Sequence, residues 1–194
     1  MTFEYPDGAT PLDRDEAEGL RLSHITTREE LNIFEAENIR AGMEWAWRSR
    51  RKDMVSEVFM RLLHKKMFGN VWKWAGEVRQ SNKNIGVPRE MIGIELHHLC
   101  DDVNFWIEHE TYPPDEIAAR FHHRLVAIHP FPNGNGRHAR MMTDLLMEKK
   151  LGAIRFSWGG EEITTANDCR RQYIEALQAA DRHDYAPLLA FVRS

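Results

Sequence analysis

Twelve consecutive residues, His129-Pro130-Phe131-Pro132-Asn133-Gly134-Asn135-Gly136-Arg137-His138-Ala139-Arg140, bring together a titratable ring, two glycines, two amides and two arginines. An imidazole titrates near neutrality, so His129 can take a proton from an attacking hydroxyl. Gly134 and Gly136 allow the close backbone approach that a phosphate needs. Arg137 and Arg140 are three apart and share a helix face, and two forked guanidiniums suit a polyphosphate. Pro130 and Pro132 restrict the loop, and Phe131, with no reactive group, reads as its anchor in the core. The chemistry these types suggest is phosphate-centred transfer with His129 as the base.

Such a loop works only if helices hold both of its ends. Ile117, Phe121, Leu125 and Ile128 recur at four, four and three, which predicts a helix opened by Pro113-Pro114-Asp115 that delivers His129 at its end. Asn135 to about Lys150 reads as a second helix, with Met141, Met142, Leu145 and Leu146 on its apolar side. The glycines then lie at a helix N-terminus, where free N–H groups and the helix dipole both favour an anion.

Further helices are expected from Thr26 or Thr27 to about Arg50, from Ser56 to Phe68 and from Glu90 to His109. Two more are expected over 165–182 and 185–193. Residues 1–23 read as an irregular arm. The pattern breaks over 69–88, which reads as a short strand pair or loop, and 155–164 reads as a small hairpin around Gly159-Gly160. The fold class is mostly α.

With these residues in view, the segment resembles the signature of the Fic-domain family, His-x-Phe-x-(Asp/Glu)-Gly-Asn-Gly-Arg-x-x-Arg. Every fixed position matches except one, where Asn133 replaces an acid. Trp74-Ala75-Gly76-Glu77-Val78-Arg79 with Asn82 and Asn84 resembles the family's target-docking flap. Residues 170–189 resemble its C-terminal helices. The whole chain, including Ala9-Thr10-Pro11-Leu12-Asp13, also resembles a compact subgroup named mobile mystery protein B.

The resemblance implies a Fic-type helical bundle around a central helix–loop–helix, with a small β-hairpin flap. It divides the chain into an N-terminal arm and helix over 1–54 and a Fic domain over 55–194. It implies a protein adenylyltransferase that moves AMP from ATP to a Ser, Thr or Tyr hydroxyl of a target protein, with His129 as the catalytic base. Gly134 to Gly136 and the Asn135 side chain would hold the α- and β-phosphates, Arg137 the β/γ end and Arg140 the γ-phosphate. The family's acid binds Mg²⁺ (Mn²⁺ can stand in). Asn133 would offer the metal only an amide oxygen, so weaker capture is expected. The flap residues Arg79, Ser81, Asn82, Lys83, Asn84 and Ile85 would dock an extended stretch of target by strand addition.

Many members are held inactive by a helix carrying (Ser/Thr)-x-x-x-Glu-(Gly/Asn), whose glutamate meets the second motif arginine. Here Glu37-Asn38 fits the end of that pattern and Ile33 stands where the hydroxyl belongs. Glu37 is therefore the candidate to contact Arg140, and a separate antitoxin-like partner is the other regulator to expect. Asn133 leaves two further readings open: a weak or inactive module that binds nucleotide and a partner, and transfer of another phosphate-containing group.

Composition excludes several classes. With 42% hydrophobic and 29% charged residues, the chain reads as one soluble globular domain. A net charge of −4 argues against nucleic acid, and the basic run Arg48 to Lys52 reads as a solvated helix face. No apolar run approaches 20 residues and no leader is evident, so neither a membrane nor export is expected, and the cytoplasm is the expected setting. Cys100 and Cys169 form no metal spacing and read as reduced thiols. His122, His123 and His138 read as ordinary helical histidines. An oligomer is left open.

Overall fold

A computed structural model describes residues 13–22, 24–25, 27–160 and 166–194. The first twelve residues of the expected arm, Ser23, Thr26, 161–164 of the expected hairpin and Thr165 at the start of the next expected helix lie outside the described residues. Helices account for most of the rest. They are α1 (Arg14–Ala17), α2 (Arg28–Arg48), α3 (Glu57–Phe68), α4 (Ile92–Glu108, preceded by a 3-10 turn, Arg89–Met91), α5 (Pro114–Ile128), α6 (Asn135–Lys149), α7 (Ala166–Ala180) and α8 (Ala186–Arg193).

Local chemistry sets the helix starts. Thr27 closes a capping box on α2: its hydroxyl accepts from Glu30 N at 3.2 Å, and the Glu30 carboxylate accepts from Thr27 N at 3.1 Å. Ser56 caps α3 through Phe59 N. Pro114 begins α5, where a missing N–H costs nothing.

The helices pack around two hydrophobic clusters. α2 lies against α3, and α5 against α4 and α6. Leu31, Phe59, Leu63, Leu96, Leu99, Val103, Phe121, Leu125 and Leu145 fill the main core. A second cluster, Ala118, Met147, Ala176, Leu188 and Val192, joins α5 and α6 to α7 and α8. The pair α5–α6 therefore contributes to both, which fixes the loop between them from two sides.

The expected β-hairpin flap is not formed. Among the described residues, strand-like pairing is limited to an isolated antiparallel bridge between Leu20 and Trp72. The reason lies in where the carbonyls of 80–87 point. Ser81 O and Val87 O accept from the Arg79 guanidinium, and Gln80 O accepts from Arg89 Nη1 at 2.6 Å. Asn82 Oδ1 accepts from Arg89 N at 2.8 Å. With these groups bonded within the segment, it closes as a compact loop. Residues 155–160 form no strand either.

Candidate active site

α5 ends on His129, which adopts a left-handed backbone (φ 53°, ψ 58°). A branched or ringed residue enters that region at a cost, and surrounding contacts must hold it there. Its N–H still bonds to Leu125 O. Its carbonyl accepts from Arg79 Nε at 2.7 Å. The ring is buried, and burial first, then the nearby Arg79 and Lys83 charges, push its pKa down to about 4. The Val126 carbonyl pulls the other way. At neutral pH the ring is thus uncharged, the form a base requires.

The loop after it is braced from below. Phe131 is fully buried and stacks on His64 at 3.8 Å between ring centroids, with His138 edge-on at 5.0 Å. His64 accepts from Gly76 N on Nδ1 at 2.9 Å, so its proton resides on Nε2, which donates to Asn133 O at 3.0 Å. Burial keeps His64 neutral by pushing its pKa well down. This brace was not read from the sequence. The signal was a lone polar residue among Met60, Leu63 and Met67 of α3.

Gly134 caps α6 with φ 79°, and a Cβ there would lie 2.6 Å from Phe68 Cζ. Glycine is required by both conformation and space. A Cβ at Gly136 would meet nothing within 4 Å, so the approach to the first turn of α6 is open. The Asn135 side chain departs from the expectation. Its amide donates to Phe131 O at 2.8 Å and accepts from Phe131 N at 2.9 Å. It shapes the loop, where its buried polar atoms are satisfied by the Phe131 backbone.

The two arginines differ. Arg137 pairs with Glu35 of α2 at 2.6 Å, lies over Phe68 at 4.9 Å and donates to Asn133 Oδ1 at 3.4 Å. Arg140 forms no ion pair among the described residues. It rests over Tyr173 at 4.8 Å and Trp158 at 5.4 Å. Tyr173 in turn hydrogen-bonds to His122, which meets Thr143. Burial raises the Tyr173 pKa to about 12 and lowers that of His122 to about 3. Trp158 and Tyr173, unread as site residues, hold Arg140's head by cation–π contact.

Glu37, the expected partner of Arg140, is exposed at a groove lined by Phe34 and Asn38. Glu35 takes the inward position and also accepts from Trp72 Nε1 at 2.7 Å. The flap differs as well. Arg79 is 1% exposed and faces backbone carbonyls, not solvent. Ser81 Oγ donates to Asp13, and Lys83 bonds to Asp13 at 2.8 Å and Glu16 at 2.5 Å. The Asn82 side chain holds Arg89. Asn84 and Ile85 remain exposed.

No group of three metal-ligating His, Cys, Asp or Glu side chains occurs among the described residues. In the loop itself the side-chain oxygen at the motif's acidic position is the Asn133 amide, which accepts from Arg137 and brings no negative charge for Mg²⁺. Cys100 and Cys169 are free thiols. His122, His123 and His138 are buried in polar contacts with Tyr173, Asp181 and Met60 O respectively. No helix among the described residues is long and apolar enough to cross a membrane.

Residues 54–147 match the Fic/DOC family. The chain is 28% identical over 152 residues to protein adenylyltransferase fic-1 of Caenorhabditis elegans, covering 74% of this chain and 28% of that protein. It is 30% identical over 138 residues to the Caenorhabditis briggsae protein of that name, covering 67% and 25%. The chain spans about a quarter of the length of these curated relatives. Among solved structures, Fic-1 of C. elegans superposes with a TM-score of 0.65 at 25% identity, over 91% of this chain and 51% of that one. The BepC effector of Bartonella tribocorum, with bound AMPPNP, gives 0.71 at 18%, over 93% and 97%, a likeness of fold.

Proposed function

The chain carries a Fic/DOC family domain, and from that premise we propose that it transfers AMP from ATP to a hydroxyl side chain (Ser, Thr or Tyr) of a target protein. The observation that carries this reading is His129: buried, pushed down to about 4 and held in a left-handed turn beside the open N-terminus of α6. A neutral imidazole there takes the proton as the target oxygen attacks the α-phosphorus. One O–P bond forms, the bond to pyrophosphate breaks, and the proton later passes to solvent. The α6 N–H groups and dipole, with Arg140, stabilise the charge that builds on the phosphates.

The residues fit a nucleotide and do not fit a resident metal. We take Mg²⁺ or Mn²⁺ to travel on the phosphates, with the Asn133 amide a weak additional oxygen. Glu35 competes with the phosphates for Arg137, so a carboxylate restrains the first motif arginine, where the family pattern pointed to Glu37 and Arg140. Asn84 and Ile85 are the flap residues left to meet a target. The reading includes a cytoplasmic setting and an antitoxin-like protein as regulator.

Two observations favour a second reading, a module that binds nucleotide and a partner: the uncharged Asn133 and the Glu35–Arg137 pair. Intact-mass spectrometry after incubation with ATP and Mg²⁺ or Mn²⁺ separates the readings. We expect a gain of one AMP on the protein itself or an added target, lost in His129→Ala by a factor of about 100 to 10,000 in rate. A gain of one phosphate replaces AMP transfer by phosphoryl transfer. No gain with any nucleotide, in the parent or in Glu35→Gln, leaves the binding module.

A further inference from the structure

We infer that Arg79 is a positioning residue that makes the flap and the His129 turn one rigid unit, by tying three backbone carbonyls to a single buried guanidinium. The inference rests on the reading of His129 as the base. Burying a permanent cation is expensive unless its donors are well matched. Arg79 is 1% exposed, and among the described residues its side chain donates only to backbone oxygens: Nε to His129 O at 2.7 Å, Nη1 to Ser81 O at 2.7 Å and Nη2 to Val87 O. Its own N–H bonds to Pro130 O at 2.9 Å. The chain therefore meets the His129–Pro130 backbone twice from one residue.

The three carbonyls come from separate places. Arg89 also ties Gln80 and Asn82 across the flap, but it is Arg79's side chain that joins Ser81 and Val87 to His129. Ser81 and Val87 stand near the two ends of the flap. His129 ends α5, where carbonyls lack helical partners and the negative end of the dipole favours a cation. The carbonyl of His129, in its left-handed turn, accepts from Arg79 Nε. Gly86 completes the roof. With φ 96°, its hypothetical Cβ would lie 2.7 Å from His129 Cβ and 2.9 Å from Arg79 Nη2. The flap thus touches both the base and the arginine that holds the base.

Only arginine suits this place. Its planar fork offers separate donors in fixed directions, whereas a lysine ammonium is one point on a flexible stem. The charge also matters. The charged groups acting on the His129 ring are Arg79 and Lys83, both from the flap segment. Arg79 therefore sets where the ring stands and helps keep it unprotonated.

The test follows the His129 ring by NMR titration in the parent, Arg79→Gln and Arg79→Lys, with flap amide exchange and transfer kinetics beside it. In Arg79→Gln the His129 midpoint rises from about 4 towards the ordinary histidine range, and kcat falls about 100-fold with KM for ATP little changed. In Arg79→Lys the charge stays and the fork is lost, so the titration holds while amides over 80–87 exchange faster and kcat falls by a smaller factor. The proposal is overturned if both variants fold and keep the parent's titration, exchange and kcat. It is equally overturned if neither folds, since Arg79 is then structural only. If Arg79→Gln alone fails to fold, Arg79→Lys decides by its flap exchange, where an unchanged rate rejects the coupling. A parent that transfers nothing removes the base reading, while titration and exchange still judge the tie.

Discussion

The loop at 131–136 and the flap at 79–89 both enclose His129, yet apart from the reach of His64 to Asn133 the loop is fixed by short-range bonds and the flap by long-range ones. In the loop, the Asn135 amide bonds to Phe131 four residues away, and Gly134 turns the backbone without help. In the flap, Arg79 reaches His129 across 50 residues, and Lys83 reaches Asp13 and Glu16 across 70 and 67. The two also use charge differently. The loop stands on neutral rings, His64 and His138, packed around Phe131. The flap stands on ions. Two equally polar stretches can therefore answer to different forces, and they should fail under different conditions.

Acid should separate them most. His122, His129 and His138 are held at about 3, 4 and 4, and His64 well below the ordinary value. Because their folded values lie below the unfolded one near 6.5, the stability they contribute is present above pH 6.5 and lost as pH falls towards 4. Each ring then costs up to about 1.4 kcal/mol per pH unit. Asp144, raised to about 6 by burial, partly offsets this, since the cost of its buried charge is relieved as pH falls through about 6. Asp13 is lowered by its bonds to Lys83 and Ser81, so the ionic latch persists until pH drops below the usual carboxylate range. Denaturant titrations at pH 7 and 5 should show a loss of several kcal/mol. Amide exchange at pH 5 should open 131–136 before 80–88, and the reverse order would break the contrast.

Within the loop, the two glycines divide. Gly134→Ala meets both the positive φ and the Phe68 ring and should cost about 2–3 kcal/mol. Gly136→Ala meets open space inside a helix and should stabilise the fold by up to about 1 kcal/mol. It should nevertheless weaken binding of an ATP analogue, because the methyl stands where a phosphate would approach. Thermal melts and calorimetry check both, and equal effects at the two sites would remove the cradle.

The smallest effect belongs to the flap's latch. Lys83→Met should lower stability by about 1 kcal/mol. Most of that comes from Glu16, whose side chain is 13% exposed, since Asp13 at 52% is screened by water. The loss should shrink at high salt in melts of the parent and the variant. A salt-independent loss would mean that the Lys83 stem, not its charge, is what the flap uses.

What could be read from the chain beforehand follows the same division of scale. The helix starts at Thr27, Ser56 and Pro114 were legible because a cap acts within one turn. So was the loop's anchor, Phe131, and the helix–loop–helix that carries it. The flap segment read as a strand pair or loop, and the choice of loop was not legible because Arg79 and Arg89 bond its carbonyls, and side-chain reach of that kind leaves no periodic mark.

Glu35 and Glu37 show the boundary most plainly. Two residues apart, they point about 200° apart around a helix of 3.6 residues per turn. α2 buries Leu31 and leaves Ile33 60% exposed, so its pattern of apolar residues did not name the face turned to α6. The sequence by itself determined the glycines and arginines of the loop and the helices that present them, and it named His129 as the candidate base, because each depends on neighbours within a few positions. Only the tertiary structure decided which glutamate meets an arginine and which, Arg137. It alone also turned Asn135 inward and made Arg79 a strut, because those outcomes depend on which distant carbonyl, ring or carboxylate the packing brings within 3 Å.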